Sequence, residues 1–114
     1  MHVRVACPPI IAPCFYGIDM STLGELFAPR FVPRDYDGAP SGRTLARMAR
    51  KLGVDSLRYL RVPDLDGCLR VEGRDLCKGC VTGCYPSDWG NRLMKAARRN
   101  LSMGEDGRTY EIGK

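Results

Sequence analysis

Ser41-Gly42-Arg43-Thr44-Leu45-Ala46-Arg47-Met48-Ala49-Arg50-Lys51-Leu52-Gly53-Val54-Asp55-Ser56-Leu57-Arg58-Tyr59-Leu60-Arg61-Val62 is the stretch on which the fold class turns. Ser41 or Thr44 caps a predicted helix to about Leu52, with Leu45, Met48, Ala49 and Leu52 on one face. Gly53 suits the left-handed position that closes such a helix. Ser56 to Val62 then reads as a short strand, with Leu57, Tyr59 and Val62 as its packing residues. A helix feeding a strand puts the chain in the α/β class.

Upstream, residues 2–7 alternate His-Val-Arg-Val-Ala-Cys, the period of a half-buried strand that Pro8-Pro9 ends. Ile10 to Asp19 is predicted as an ordered loop. Ser21-Thr22 with Glu25 offers a capping box for a short helix to about Ala28, stopped by Pro29, and residues 29–42 are loop. Downstream, Pro63 opens a short helix to about Arg70, and Gly73 to Pro86 forms a cysteine knuckle. Ser87 caps a last helix from about Asp88 to Leu101, with Trp89, Leu93, Ala97 and Leu101 as its buried stripe, before a polar tail from Ser102. The first strand lacks neighbours in this reading, so the chain is expected to pair with another subunit or to end a longer protein.

The 114 residues include 18 Lys+Arg and 13 Asp+Glu, a formal charge of +5, and 44% are hydrophobic. Hydrophobic content of this order argues against wholesale disorder, and no apolar run approaches the ~20 residues of a membrane helix. The first residues lack the apolar core of a secretory signal, so a cytoplasmic location without a membrane partner is expected. Arg43, Arg47, Arg50 and Lys51, and again Arg92, Lys95, Arg98 and Arg99, recur at helical spacing. With no aromatic residues interleaved to stack bases, these read as solvated helix faces rather than a nucleic-acid surface.

Six cysteines stand at positions 7, 14, 68, 77, 80 and 84. Cys77 and Cys80 form a C-x2-C pair, whose spacing turns two sulfurs toward one ion or cluster. That is half of a four-ligand site; Cys14, Cys68, Cys84 or another chain are the sources for the rest. Free thiols are the alternative, and Cys7 and Cys68 read as small buried hydrophobes. The one histidine, His2, supports no Ser-His-Asp or Cys-His constellation, no carboxylates pair at a catalytic spacing, and no catalytic residue is expected.

Val3 to Met20, with Pro8-Pro9-Ile10 followed by Pro13-Cys14-Phe15-Tyr16-Gly17-Ile18-Asp19, closely resembles glutamine amidophosphoribosyltransferases. The resemblance continues in order through Ser21-Thr22 with Glu25-Leu26, Leu52-Gly53-Val54-Asp55-Ser56-Leu57-Arg58-Tyr59-Leu60, and Cys77-Lys78-Gly79-Cys80-Val81-Thr82-Gly83-Cys84-Tyr85-Pro86. It covers residues 2 to about 86; the final helix matches less distinctly. It implies the C-terminal part of a type I phosphoribosyltransferase domain over 1–86, with one N-terminal strand, short helices, loops and a Cys knuckle, followed by a C-terminal helix and tail over 87–114.

The family joins that domain to a glutaminase and makes 5-phosphoribosylamine from phosphoribosyl pyrophosphate and glutamine, at the start of purine synthesis. In its iron–sulfur branch the resemblance assigns Cys14, Cys77 and Cys80 to three ligand positions of a structural [4Fe-4S] cluster. The family's fourth ligand lies upstream of this sequence, and Cys84 stands as a substitute outside the family pattern. The phosphoribosyl pyrophosphate loop and the glutaminase nucleophile are also missing, so Mg2+ enters only with the rest of the enzyme. The chain alone is expected to be inactive, its partner being the missing N-terminal part or a homologous subunit in a homo-oligomer. The alternative is a small zinc-knuckle module whose basic helices contact nucleic acid or protein.

Overall fold

The computed structural model describes residues 1–104; the polar tail expected from Ser102 lies mostly outside them. The elements are strands β1 (His2–Val5) and β2 (Ser56–Tyr59) and helices α1 (Gly42–Leu52), α2 (Leu65–Leu69), α3 (Gly79–Thr82) and α4 (Asp88–Ser102). Three single 3-10 turns lie at Ala28–Arg30, Val62–Asp64 and Gly73–Asp75. The chain forms a small α/β protein with a two-stranded parallel sheet. Among the described residues no helix is long and apolar enough to cross a membrane. The chain divides into two compact units, one of Met1–Pro9 with Ala28–Leu76 and one of Ile10–Phe27 with Cys77 onward.

The first unit holds the sheet. β1 does have a neighbour within this chain: it pairs in parallel with β2, His2 opposite Ser56, Val3 opposite Leu57, Arg4 opposite Arg58 and Val5 opposite Tyr59. The expectation of a lone first strand is therefore corrected. Parallel pairing needs a long crossover, and the chain between the strands supplies it, with α1 packing on β2. Ser41 caps α1, its Oγ accepting the Thr44 N–H at 3.2 Å, and Gly53 closes it at φ 70°. Leu45, Met48 and Ala49 are buried as the periodicity predicts, whereas Leu52 is exposed. Both strands are shorter than expected. β2 stops at Tyr59 because Val62 turns in, its N–H donating to the Gly38 carbonyl at 2.9 Å and its side chain lying where a Gly38 Cβ would stand.

The second unit is built on Ala12, Tyr85 and Met94, with Ile11, Phe15 and Leu23 packed against them. Its capping box forms without its helix. The Thr22 N–H donates to Glu25 Oε2 at 2.9 Å, and the Glu25 N–H returns to the Thr22 carbonyl at 3.1 Å, closing one turn. With Gly24 inside that turn and Pro29 close behind, there is too little chain to repay helix nucleation. Ser87 caps α4 as expected, accepting the Gly90 N–H at 3.2 Å.

The buried residues of α4 are Gly90, Met94 and Ala97: Ala97 is buried as predicted, Gly90 and Met94 take the place of Trp89 and Leu93, and Trp89 and Leu101 are exposed. The cause is local. A Cβ on Gly90 would fall 2.7 Å from Tyr85 Cβ and closer still to the Tyr16 hydroxyl, so the helix makes its nearest approach at its only side-chain-free position.

Candidate metal centre

Cys14, Cys77, Cys80 and Cys84 all belong to the second unit, and none of them is in a disulfide. Two segments distant in sequence are stitched together there. The backbone N–H groups of Ile11 and Ala12 donate to the Cys80 carbonyl at 2.8 and 3.1 Å. Tyr85 adds a second tie, its hydroxyl donating to the Pro13 carbonyl at 2.6 Å. The loop that ends in Cys14 is thus bound on both sides to the knuckle that carries Cys80.

The knuckle owes its tightness to glycine. α3 is a single turn, with Cys80 its second residue and Cys77 two positions before it. Gly83 ends it at φ 78°, and its N–H donates to the Gly79 carbonyl at 2.8 Å. A Cβ on Gly79 would stand 2.7 Å from Tyr85 Cε1, so Tyr85 lies flush against the helix backbone. The Thr82 hydroxyl donates to the Lys78 carbonyl at 2.7 Å and accepts the Cys84 N–H at 3.1 Å.

Tyr85 is the hub. Its ring lies 5.1 Å from that of Phe15 and 6.1 Å from that of Tyr16, and it is almost fully buried. Its phenol is held well above the ordinary tyrosine range by burial first, then by the neighbouring Cys80 and Cys14 and by Tyr16, with Arg98 opposing. Cys14 and Cys80 therefore share one neighbourhood around this ring. Cys14 Sγ accepts the Tyr16 N–H at 3.4 Å, and the Cys14 N–H donates to Met20 Sδ at 3.0 Å.

Cys14 and Cys80 are half-buried and Cys77 and Cys84 are exposed. Among the described residues, no three His, Cys, Asp or Glu side chains converge closely enough to hold a metal ion. Cys7 and Cys68, expected as packing residues, are exposed and belong to the first unit. The sequence offers Gly79 and Gly83 as knuckle glycines of positive φ, which holds for Gly83 and not for Gly79, and it does not single out Tyr85 or Gly90 as the frame of the site. The available signal was an aromatic residue directly after the cysteine knuckle, flanked by glycines that tolerate close approach.

Known proteins share this stretch. An amidophosphoribosyltransferase of Methanocaldococcus jannaschii is 43% identical over 89 residues, 77% of this chain and 16% of the relative. One of a Synechocystis species is 36% identical over 109 residues, 93% of this chain and 18% of the relative. One of Bacillus subtilis is 35% identical over 95 residues, 77% of this chain and 17% of the relative. No family model and no solved structure matches. The chain is therefore related to a class of transferases, and spans about one-sixth of the length of the curated relatives it matches. The family it is related to is that of the amidophosphoribosyltransferases, as its ordered motifs implied.

Proposed function

We propose that this chain serves as the C-terminal portion of an amidophosphoribosyltransferase, completing a type I phosphoribosyltransferase domain in the cytoplasmic enzyme that begins purine synthesis. The observation that carries this reading is 43% identity across 77% of the chain. With Mg2+, the phosphate-holding loop and the glutaminase belonging to the rest of the enzyme, this chain's own part is to build and brace a site.

That part centres on Cys14, Cys77 and Cys80 as thiolate ligands of a [4Fe-4S] cluster. The donor set fits in chemistry: thiols outside any disulfide, two of them beside one tyrosine, and a backbone N–H already directed at Cys14 Sγ. Arg98 lies against the same knuckle, where its positive charge offsets thiolate charge. Cys77, exposed and next to the single-turn helix, has to swing inward to complete the set, and Cys84 or the rest of the enzyme supplies the fourth ligand. When bound, the group supplies a cross-link between two distant chain segments. Tyr85 holds the Cys14 loop at the required distance, and the Gly79–Gly83 turn aims Cys80.

Anaerobic reconstitution of the full chain with ferrous iron and sulfide tests this. The expected result is a brown protein with about four irons per chain, the colour lost in Cys14→Ser, Cys77→Ser and Cys80→Ser and kept in Cys7→Ser and Cys68→Ser. Stoichiometric zinc in the purified protein, or iron uptake indifferent to these cysteines, overturns it.

A further inference from the structure

The two faces of the β1–β2 sheet differ in kind. Val3, Val5, Leu57 and Tyr59 alternate onto one face, where Leu57 is buried and α1 packs on β2. His2, Arg4, Ser56 and Arg58 alternate onto the other, where His2 and both arginines are exposed. The parallel register sets Arg4 directly opposite Arg58 and His2 directly opposite Ser56. Ser56 Oγ accepts from Arg4 Nη1 at 2.9 Å and lies 2.8 Å from His2 Nδ1. Arg4 and Arg58 each direct one Nη1 to the carbonyl of the preceding residue in their own strand, at 2.9 and 3.0 Å.

Among the described residues neither arginine pairs with a carboxylate, and the nearby Asp55 receives the Met1 amino group instead. Arg4 and Arg58 thus stand opposite one another on one strand face with no carboxylate partner among the described residues. Like charges directly opposite one another weaken a strand pair, so this arrangement stands at a cost until an anion reaches it.

Parallel sheets are found almost only where both faces are covered, and two strands alone are marginal in water. α1 supplies one cover. The chain spans about one-sixth of its relatives, so polypeptide for the second cover exists in that family outside this stretch.

We propose that the His2–Arg4–Ser56–Arg58 face docks a carboxylate-bearing segment from the remainder of the amidophosphoribosyltransferase, with Asp or Glu side chains spaced to meet Arg4 and Arg58. Guanidinium forks bind carboxylates bidentately, and the face carries no Phe, Tyr or Trp on which a base would stack, His2 being its one ring. This inference rests on the reading of the chain as one part of that enzyme, and it identifies which surface meets the rest and by what chemistry.

The test coexpresses the full chain with the Methanocaldococcus relative deleted of the stretch that the chain matches, and measures association by co-elution and titration. Wild-type chain is expected to bind. Arg4→Glu/Arg58→Glu is expected to weaken binding by at least about tenfold and to flatten its salt dependence. A control of equal charge change, Arg61→Glu/Arg74→Glu, alters two exposed arginines already paired with Asp64 and Glu72 and is expected to bind as wild type.

Binding that survives the Arg4/Arg58 reversal overturns this inference and leaves the reading of the chain intact. No binding by the wild-type chain overturns both. Self-association of the chain, or retention of a random-sequence RNA, that is lost in the Arg4/Arg58 variant while the deleted relative still binds it assigns the face to another occupant and overturns the inference.

Discussion

Gly79→Ala puts the frame of the cysteine site to a direct test. The added Cβ would stand 2.7 Å from Tyr85 Cε1 and nearer still to Cδ1. Ordinary carbon–carbon contact is about 3.5–4.0 Å, so ring or helix has to retreat by roughly 1 Å. Neither has an easy path. Tyr85 is 6% exposed, packs with Ala12 and Met94, and is tied through its hydroxyl to the Pro13 carbonyl. Overpacking of this kind costs about 1–3 kcal/mol, against which alanine regains about 0.5–1 kcal/mol of helix preference over glycine. The net expectation is a loss of about 1–2 kcal/mol. Gly42→Ala in the first turn of α1 is the control, since nothing lies within 4 Å of its Cβ, and a gain of up to about 1 kcal/mol is expected there. Urea denaturation of the two variants beside wild type, followed by far-UV circular dichroism, reads both. If Gly79→Ala is as stable as Gly42→Ala, Tyr85 does not lie against α3 and the proposed frame is wrong.

Ser87→Ala removes the cap of α4 and the 2.7 Å bond between Ser87 Oγ and the Tyr16 hydroxyl, and a loss of about 1–2 kcal/mol is expected in the same denaturation assay. Tyr36 supplies a pH dependence: burial first, then the charges of Asp37 and Tyr59, push its phenol from 10.0 up to about 12, and its hydroxyl has no hydrogen-bond partner. Because the folded value is the higher, this contribution is whole below pH 10 and is lost as the pH rises from 10 toward 12. Tyr36→Phe is therefore expected to keep its stability better across that window, and parallel alkaline curves for the two proteins would refute the assignment.

Much of the first unit was legible because its signals are local. Ser41, the Leu45–Met48–Ala49 face and Gly53 are a start, a stripe and a stop within one helix, and they place α1 correctly. The parallel partnership of β1 with β2 was not legible, since pairing across more than 50 residues leaves no trace in either strand's own period. The Thr22–Glu25 box shows the opposite failure, a genuine local bond that the chain around it does not extend into a helix. On α4 the apolar periodicity pointed to Trp89 and Leu93, but glycine at position 90 offered the closest approach and shape prevailed over hydropathy. The cysteines that the sequence singles out, Cys14, Cys77 and Cys80, fall within one unit although 63 residues separate the first from the second. Tyr85, the residue around which Cys14 and Cys80 gather, is marked in the sequence only by its place directly after Cys84.

The second unit is assembled from two pieces with the whole first-unit segment Ala28–Leu76 threaded between them. During synthesis the Cys14 loop leaves the ribosome well ahead of its partner. Cys77 follows Cys14 by 77 − 14 = 63 residues, an interval of about 3–13 s at cellular rates of elongation. For that interval Ile11, Ala12 and Phe15 have no Tyr85 to close over them, and Cys14 stands open to any thiol or metal it meets. In the proposed site, the order of birth thus makes Cys14 the waiting half and the C-x2-C knuckle the half that arrives to lock it.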